Sequence, residues 1–382
     1  MVEGITYMDH AATTPMRASA IAAMMPYLDG VYANPSGAHR FARQARQAVD
    51  EARDLVASIV GCKPGEVVFT GCGTESDNAA IIGAVRRRGG VAVCPAAEHH
   101  AVLHCVEHTG GRVVAVDSHG AVDLDALAAA LDDNVTCVAV MAVNNETGTI
   151  TDLTAVSSLV RRRAPSAVLH TDAVQAACWI DLRTIWPLVD SMAISAHKFG
   201  GPKGVGALIV REGVAFEPIV LGGGQERDRR SGTHNVAGIV AMAEALRATD
   251  AERAHEVARV DVLREQLIQG LLSIDGVRRT VPREVSVPGV AHVCIADIES
   301  ESLLFLLDEA GVCASSASAC ASGAMEPSHV LAAMGVEPTL SVGALRLSMG
   351  HTTTPDDVRH TVEVVSTSVS RIREASARLK RS

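Results

Sequence analysis

Glu66-Val67-Val68-Phe69-Thr70-Gly71-Cys72-Gly73-Thr74-Glu75 is the stretch from which the fold can be read. Residues 66–70 have the composition of a short strand, Gly71 and Gly73 make a tight turn, and residues 76–88 continue with helical spacing. A strand that turns directly into a helix presents the unpaired N–H groups of the first helical turn at its carboxyl end. Thr74 adds a hydroxyl there, and such an end suits an anion. Standing alone, it would be an ordinary strand-to-helix connection.

Working outward, the alternation persists. Residues 91–93, 113–116, 137–141, 167–170, 190–195 and 204–210 are short apolar runs of strand type separated by helical stretches. This pattern predicts an α/β fold, a mixed or mostly parallel sheet with helices on both faces and ligands beyond the carboxyl ends of the strands. Residues 244–272 have the apolar spacing of one long helix, after which the pattern changes. A strand is expected at 290–295, a helix at 299–309 and a strand at 344–349. Thr354-Pro355-Asp356-Asp357 opens a final helix with a hydroxyl cap and proline at its first position. The organisation expected is a large domain over 15–254 and a smaller α+β domain formed by 1–14 and 255–382.

The 382 residues carry a formal net charge of -10, and no Lys/Arg run exceeds the three at 86–88 and 161–163. A nucleic-acid groove gathers more positive charge on one face, so direct nucleic-acid binding is not expected. No 18-residue apolar run marks a membrane span, and Met1-Val2-Glu3-Gly4 lacks the basic and apolar regions of a secretory signal. Nine cysteines form no CxxC pair. Free thiols in a reducing compartment, the cytoplasm, are the expectation.

Ser195-Ala196-His197-Lys198-Phe199-Gly200-Gly201 places a lysine at a strand end beside glycines, where it can reach a cleft and form a Schiff base with an aldehyde cofactor. Alone, such a lysine is surface decoration; other features join it. Asp172 ends a strand and would face a cofactor's ring nitrogen, or else cap a helix. Gln175, three residues on, can reach a ring oxygen. His99 can stack on the ring and move protons near neutral pH. Gly222-Gly223-Gly224-Gln225-Glu226, followed by Arg230-Ser231-Gly232-Thr233, is either a flexible connector or a second phosphate loop long enough to cross to another subunit. With no GxGxxG or GxxxxGK[ST] element present, these features favour a phosphate-bearing aldehyde over a nucleotide. His100, His104 and His108 share a helix face but have no carboxylate or thiolate partner, and no metal is expected.

Residues 315–323 are a run of small side chains around Cys320. That composition predicts a mobile loop with a reactive thiol, the alternative being an inert cysteine in a serine-rich connector; Cys313 is read as buried. Arg346 interrupts a short strand, and its fork can hold an amino acid's carboxylate, unless it simply faces solvent.

Tyr7-Met8-Asp9-His10-Ala11-Ala12-Thr13-Thr14-Pro15, Asn34-Pro35-Ser36, Gly73-Thr74-Glu75, Asn144-Asn145-Glu146-Thr147-Gly148, Ala196-His197-Lys198 and residues 222–233 together resemble the cysteine desulfurases, over about residues 5–375. The segment around Cys320, with Met325-Glu326-Pro327-Ser328 after it, resembles the class that serves general iron–sulfur assembly. The resemblance implies an aspartate-aminotransferase-type fold, pyridoxal 5'-phosphate and a homodimer with composite sites. It implies Lys198 as the Schiff-base lysine, His99 as the stacking imidazole, Asp172 as partner of the ring nitrogen, and Gln175 and Asn145 near the ring oxygen and substrate. Gly73, Thr74, Ser195 and His197 would hold the phosphate with Thr233 of a neighbouring subunit. Cys320 would carry sulfur taken from L-cysteine as a persulfide, and Arg346 would bind the substrate carboxylate. The acceptor would be an iron–sulfur scaffold or sulfur carrier. Thiolation of tRNA and DNA phosphorothioation share the chemical step, while selenocysteine lyase and a sulfur-relay protein with little turnover are the other readings. Three positions depart from the family pattern: His10, Cys72, which adds a second oxidisable thiol, and Asp77-Asn78 in place of paired asparagines.

Overall fold

The computed structural model describes residues 4–316, 320–321, 324–325 and 328–379. Strand β1 (Thr6–Tyr7) lies in the N-terminal arm. The main sheet contains β2 (Val67–Thr70), β3 (Val91–Pro95), β4 (Arg112–Val114), β5 (Val135–Ala139), β6 (Val168–Asp172), β7 (Ser191–Ser195) and β8 (Gly206–Val210). Their spatial order is β2-β8-β7-β6-β5-β3-β4. Pairs from β4 through β7 are parallel, and β8 alone runs antiparallel to both its neighbours. The strands β5, β6 and β7 are buried almost throughout, as expected where helices cover both faces.

A second sheet holds β9 (Val277–Arg279), β10 (Val290–Ile295) and β14 (Ala344–Ser348) in the antiparallel order β14-β10-β9. Strand β1 pairs in parallel with β11 (Val312–Cys313), and Asp9 bridges to Ser348, so the N-terminal arm is stitched to this smaller sheet. A short antiparallel ladder joins β12 (Cys320–Ala321) to β13 (Ala324–Met325). The architecture is thus a large mixed and mostly parallel sheet with a smaller unit beside it.

One helix, Val236–Leu272, serves both units. Ile239, Met242 and Leu246 pack into the core around the main sheet, whereas Val260, Leu263, Leu267 and Leu271 pack beneath the smaller sheet with Val293, Leu345 and Leu347. The helix begins eight residues before the expected start at 244, because Asn235 caps it through the N–H of Gly238 and the small residues behind that cap carry no apolar rhythm. The expected division at 254/255 falls inside this continuous helix. The final helix, Pro355–Leu379, starts as its sequence dictates: Thr354 and Asp357 exchange reciprocal capping bonds.

Candidate active site

Strand β2 passes through Gly71 and Cys72 into helix Gly73–Arg88, whose first intrahelical bond runs from Ser76 N–H to the Cys72 carbonyl. The amides before Ser76 therefore face outward from the first turn. Gly73 has no substitute here: a Cβ would lie 2.7 Å from Val174 Cγ2 and 3.5 Å from Ser195 Cβ. The helix starts three residues earlier than the sequence pattern suggests because close packing, rather than propensity, places this glycine in it.

This helix start opens into a cavity of about 380 Å³ at the carboxyl ends of the strands. Gly73, Thr74, His99, Asn145, Asp172, Gln175, Ser195, His197, Lys198 and Arg346, separate in sequence, all line it. Thr233 does not; it is exposed on this chain. The backbone of Cys320 belongs to β12, while its thiol and the expected loop mobility lie outside the described residues. Cys313, read as buried, is half-exposed at the end of β11.

Lys198 reaches in from the turn after β7, and its ammonium donates to the carbonyls of Ala11 at 2.5 Å and Ala12 at 2.9 Å. Burial, and next the Arg346 guanidinium, pull its pKa down to about 8, against the opposing pull of Asp172 and Asp9. Near pH 8 the amine is therefore readily available as nucleophile or base. Asp172 is buried; burial and then Asp77 push its carboxyl up to about 7, while Val174 N–H, 2.8 Å away, favours the ionised form. It caps the turn that follows β6, with no helix starting there, and it lines the cavity. Gln175 donates its amide to the Ala11 carbonyl at 2.8 Å.

His99 departs from the near-neutral titration its residue type suggests. Burial, and next Lys198, lower its pKa to about 4, and its Nδ1 accepts from Ala101 N–H at 3.1 Å. It is a neutral imidazole with its proton on Nε2, able to donate toward the cavity. On the helix that follows, His100 stacks on His104 with centroids 4.7 Å apart, and His100 meets His329 at 4.4 Å. Among the described residues no group of three His, Cys, Asp or Glu side chains is arranged to hold a metal.

Arg346 is buried beneath the cavity wall. One terminal nitrogen donates to the Asn145 carbonyl at 2.9 Å and the other to Asp9 at 2.8 Å, while its Nε is buried without a partner. Its fork thus faces protein groups and not solvent, with the Asp9 carboxylate held against it.

A phosphorylated aldehyde fits these surroundings. The Ser195 hydroxyl is buried with no hydrogen-bond partner, adjacent to Gly73 and the outward amides, and Thr74 and His197 line the same cavity. Hydroxyls and outward amides that suit an anion, a lysine amine and a buried carboxylate in one cavity make up the donor set such a cofactor needs. Several lining groups were given no role by residue type alone: the Ala11 and Ala12 carbonyls, Asp77 and Glu146, although these lie within the motifs quoted above, and His329. The opening motif could have pointed to the first two.

The loop bearing Thr233 is braced from within. Glu226 accepts Arg53 at 2.7 and 2.8 Å, Phe69 N–H at 2.9 Å and His234 at 2.7 Å. Burial opposes its charge, but His234 and Arg53 prevail and hold its pKa near 2. Glu226, Arg227 and Asp228 all adopt left-handed backbone, with φ of 50°, 58° and 62°, a strained run that these contacts sustain.

Fold and site together define a pyridoxal-phosphate enzyme, and the chain belongs to the class-V aminotransferase family, whose model matches residues 6–360. Within it the sequence is that of a cysteine desulfurase. It is 39% identical over 379 residues to cysteine desulfurase IscS of Dictyoglomus turgidum, spanning 97% of this chain and 96% of that protein. It is 41% identical over 391 residues to the IscS-like cysteine desulfurase of Mycobacterium tuberculosis, spanning 97% and 98%. Among solved structures, a NifS-like protein superposes with a TM-score of 0.89 at 34% identity, covering 96% of this chain and 99% of that one. The enzyme uses pyridoxal phosphate to transfer sulfur from cysteine as a persulfide.

Proposed function

We propose that this enzyme works as a cytoplasmic homodimer, takes sulfur onto Cys320 and passes it to an iron–sulfur scaffold or sulfur carrier. The observation that carries the residue assignments is the convergence of Lys198, His99, Asp172 and Arg346 on one cavity. Bound pyridoxal phosphate supplies an aldehyde carbon for an amine and a ring that accepts electrons released at the substrate's alpha carbon. Lys198 Nζ takes the alpha proton; His99 covers the ring as a neutral donor; Asp172 holds the proton on the ring nitrogen; Arg346 orients the carboxylate. Cys320 thiolate then forms a bond to the substrate sulfur as the carbon–sulfur bond breaks. The electron pair of that bond stays with the three-carbon skeleton, which is protonated and leaves as alanine. Enzyme thiol plus cysteine gives enzyme persulfide plus alanine, so no outside oxidant is needed.

The acceptor assignment rests on the long serine-rich segment around Cys320, which suits a thiol that serves two locations in turn. The test is direct: holoenzyme incubated with L-cysteine should yield alanine and protein-bound sulfur in step, and the bound sulfur should move to an added iron–sulfur scaffold. Transfer only to a tRNA- or DNA-modifying partner would reassign the pathway, and selenide release from selenocysteine that is indifferent to Cys320 would favour a lyase.

Replacing Arg346 by alanine should raise KM for cysteine roughly 100-fold with a smaller effect on kcat, since charge-assisted bonds to the carboxylate are lost. Lysine should not restore it: one ammonium cannot hold Asp9, the Asn145 carbonyl and a substrate carboxylate together. Steady-state kinetics on both variants decide the matter, and an unchanged KM would move the carboxylate site elsewhere.

The dimer reading is supported by Thr233, which is exposed on this chain and lies away from its own cavity lining. Thr233→Ala should weaken cofactor affinity by about 3- to 10-fold, the cost of one phosphate hydrogen bond. Titration of apoenzyme with cofactor, alongside sedimentation to fix the oligomeric state, measures this; equal affinity in a confirmed dimer would remove Thr233 from the site.

A further inference from the structure

Both ends of the chain segment that carries Cys320 are fastened to residues of the cavity. At Ser315 the backbone pairs with Arg346, whose N–H donates to the Ser315 carbonyl at 2.7 Å and whose carbonyl accepts Ser315 N–H at 3.2 Å. At the other end, Ser328 donates its hydroxyl to Glu146 Oε2 at 2.5 Å and accepts Leu331 N–H at 3.1 Å. Glu146 sits in the turn that Asn144 builds by accepting Glu146 N–H at 2.9 Å and Thr147 N–H at 3.0 Å. That turn presents Asn145 to the cavity, and Arg346 closes the ring by donating to the Asn145 carbonyl at 2.9 Å.

A helix-capping role for Ser328 accounts for its bond to Leu331 but not for a carboxyl group facing it. Glu146 is only 4% exposed and Ser328 5%, and a carboxyl removed from water is costly where an apolar side chain would fill the space. Burial raises its pKa to about 7, with the Ser328 hydroxyl and then Arg346 drawing it back toward the ionised form.

We propose that Glu146 and Ser328 form a clasp that fixes the exit of the Cys320 segment to the substrate-holding turn, so that delivery of sulfur to Cys320 depends on it while binding of cysteine does not. Both are positioning residues. The inference rests on the reading of Cys320 as the persulfide carrier. Its physical basis is that an attacking thiol must meet one sulfur atom at short range, where a misplacement of about 1 Å can cost 100-fold in rate.

The experiment is rapid mixing of holoenzyme with L-cysteine for the native chain, Ser328→Ala, Ser328→Thr and Glu146→Gln. Two signals are followed: the cofactor absorbance change on substrate addition, and persulfide on Cys320 by alkylation and mass spectrometry. Ser328→Ala should slow persulfide formation about 10-fold or more while leaving the absorbance change within about twofold. Ser328→Thr, which keeps the hydroxyl, should stay within about twofold of native in both, and Glu146→Gln should fall between, retaining an acceptor without charge. Native persulfide rates in Ser328→Ala, parallel slowing of both signals, or failure of threonine to rescue would each overturn the clasp. A native chain that places no persulfide on Cys320 would instead overturn the carrier reading, and the clasp with it.

Discussion

Lys198→Ala holoenzyme should form alanine from cysteine about 1,000- to 10,000-fold more slowly than the native protein, the range that loss of a positioned proton-transfer group commands. The structure gives the reason for an effect of this size. Lys198 is the amine in the cavity whose pKa is brought near neutrality, to about 8, and the agents are burial first and Arg346 second. Among the other described groups lining the cavity, His99 has been lowered to about 4 and is a weak base, and Asp172 is buried and bonded to Val174 N–H. Lys198→Arg separates chemistry from positioning. Its guanidinium can still donate to the Ala11 and Ala12 carbonyls but stays protonated at any working pH. Equal losses in both variants, with cofactor no longer fixed to the chain by borohydride reduction, are expected. Activity in either variant above about a tenth of native would show that another group moves the proton.

Much of this site was legible before the fold was seen, for a physical reason. In an open parallel sheet the carboxyl ends of strands converge on one cleft, so Thr74 after β2, His99 after β3, Asp172 at the end of β6 and Lys198 after β7 could be placed together from strand positions, whereas Asn145 after β5 came only from the family resemblance. What residue types could not convey was the state of those groups. His99 looks like a titrating imidazole until burial fixes it neutral, and Arg346 looks free to bind a carboxylate until Asp9 is found beside it. Contacts between remote segments were also hidden. Asp77 meets the His170 ring at 3.1 Å, and both are fully buried behind Asp172; neither strand nor helix periodicity marks such a pair. Likewise, nothing in Gln225-Glu226-Arg227-Asp228 announces three left-handed residues without a glycine among them. Periodicity reports which face is buried, and only register between distant elements reports what the buried polar groups touch.

Cys320→Ala should abolish persulfide on the protein and lower alanine formation by about 100-fold or more, because the substrate sulfur is left without an acceptor. Elimination among the other thiols makes the prediction sharp. Burial raises Cys62 and Cys137 to about 12 and Cys105 and Cys178 to about 11, and it raises Cys94 and Cys294 as well, so these are poor thiolates. Cys313 is half-exposed but is also raised by burial, then by Asp308 and Asp9. Cys72 is different: it lines the cavity at the start of helix Gly73–Arg88. Sulfur labelling of Cys320→Ala followed by peptide mapping therefore has two informative results. An unlabelled chain assigns the carrier to Cys320 alone. Label retained on Cys72, and removed in the double variant with Cys72→Ser, would mean that a cavity thiol can accept sulfur directly. The segment around Cys320 would then be needed for export, not for the bond-breaking step.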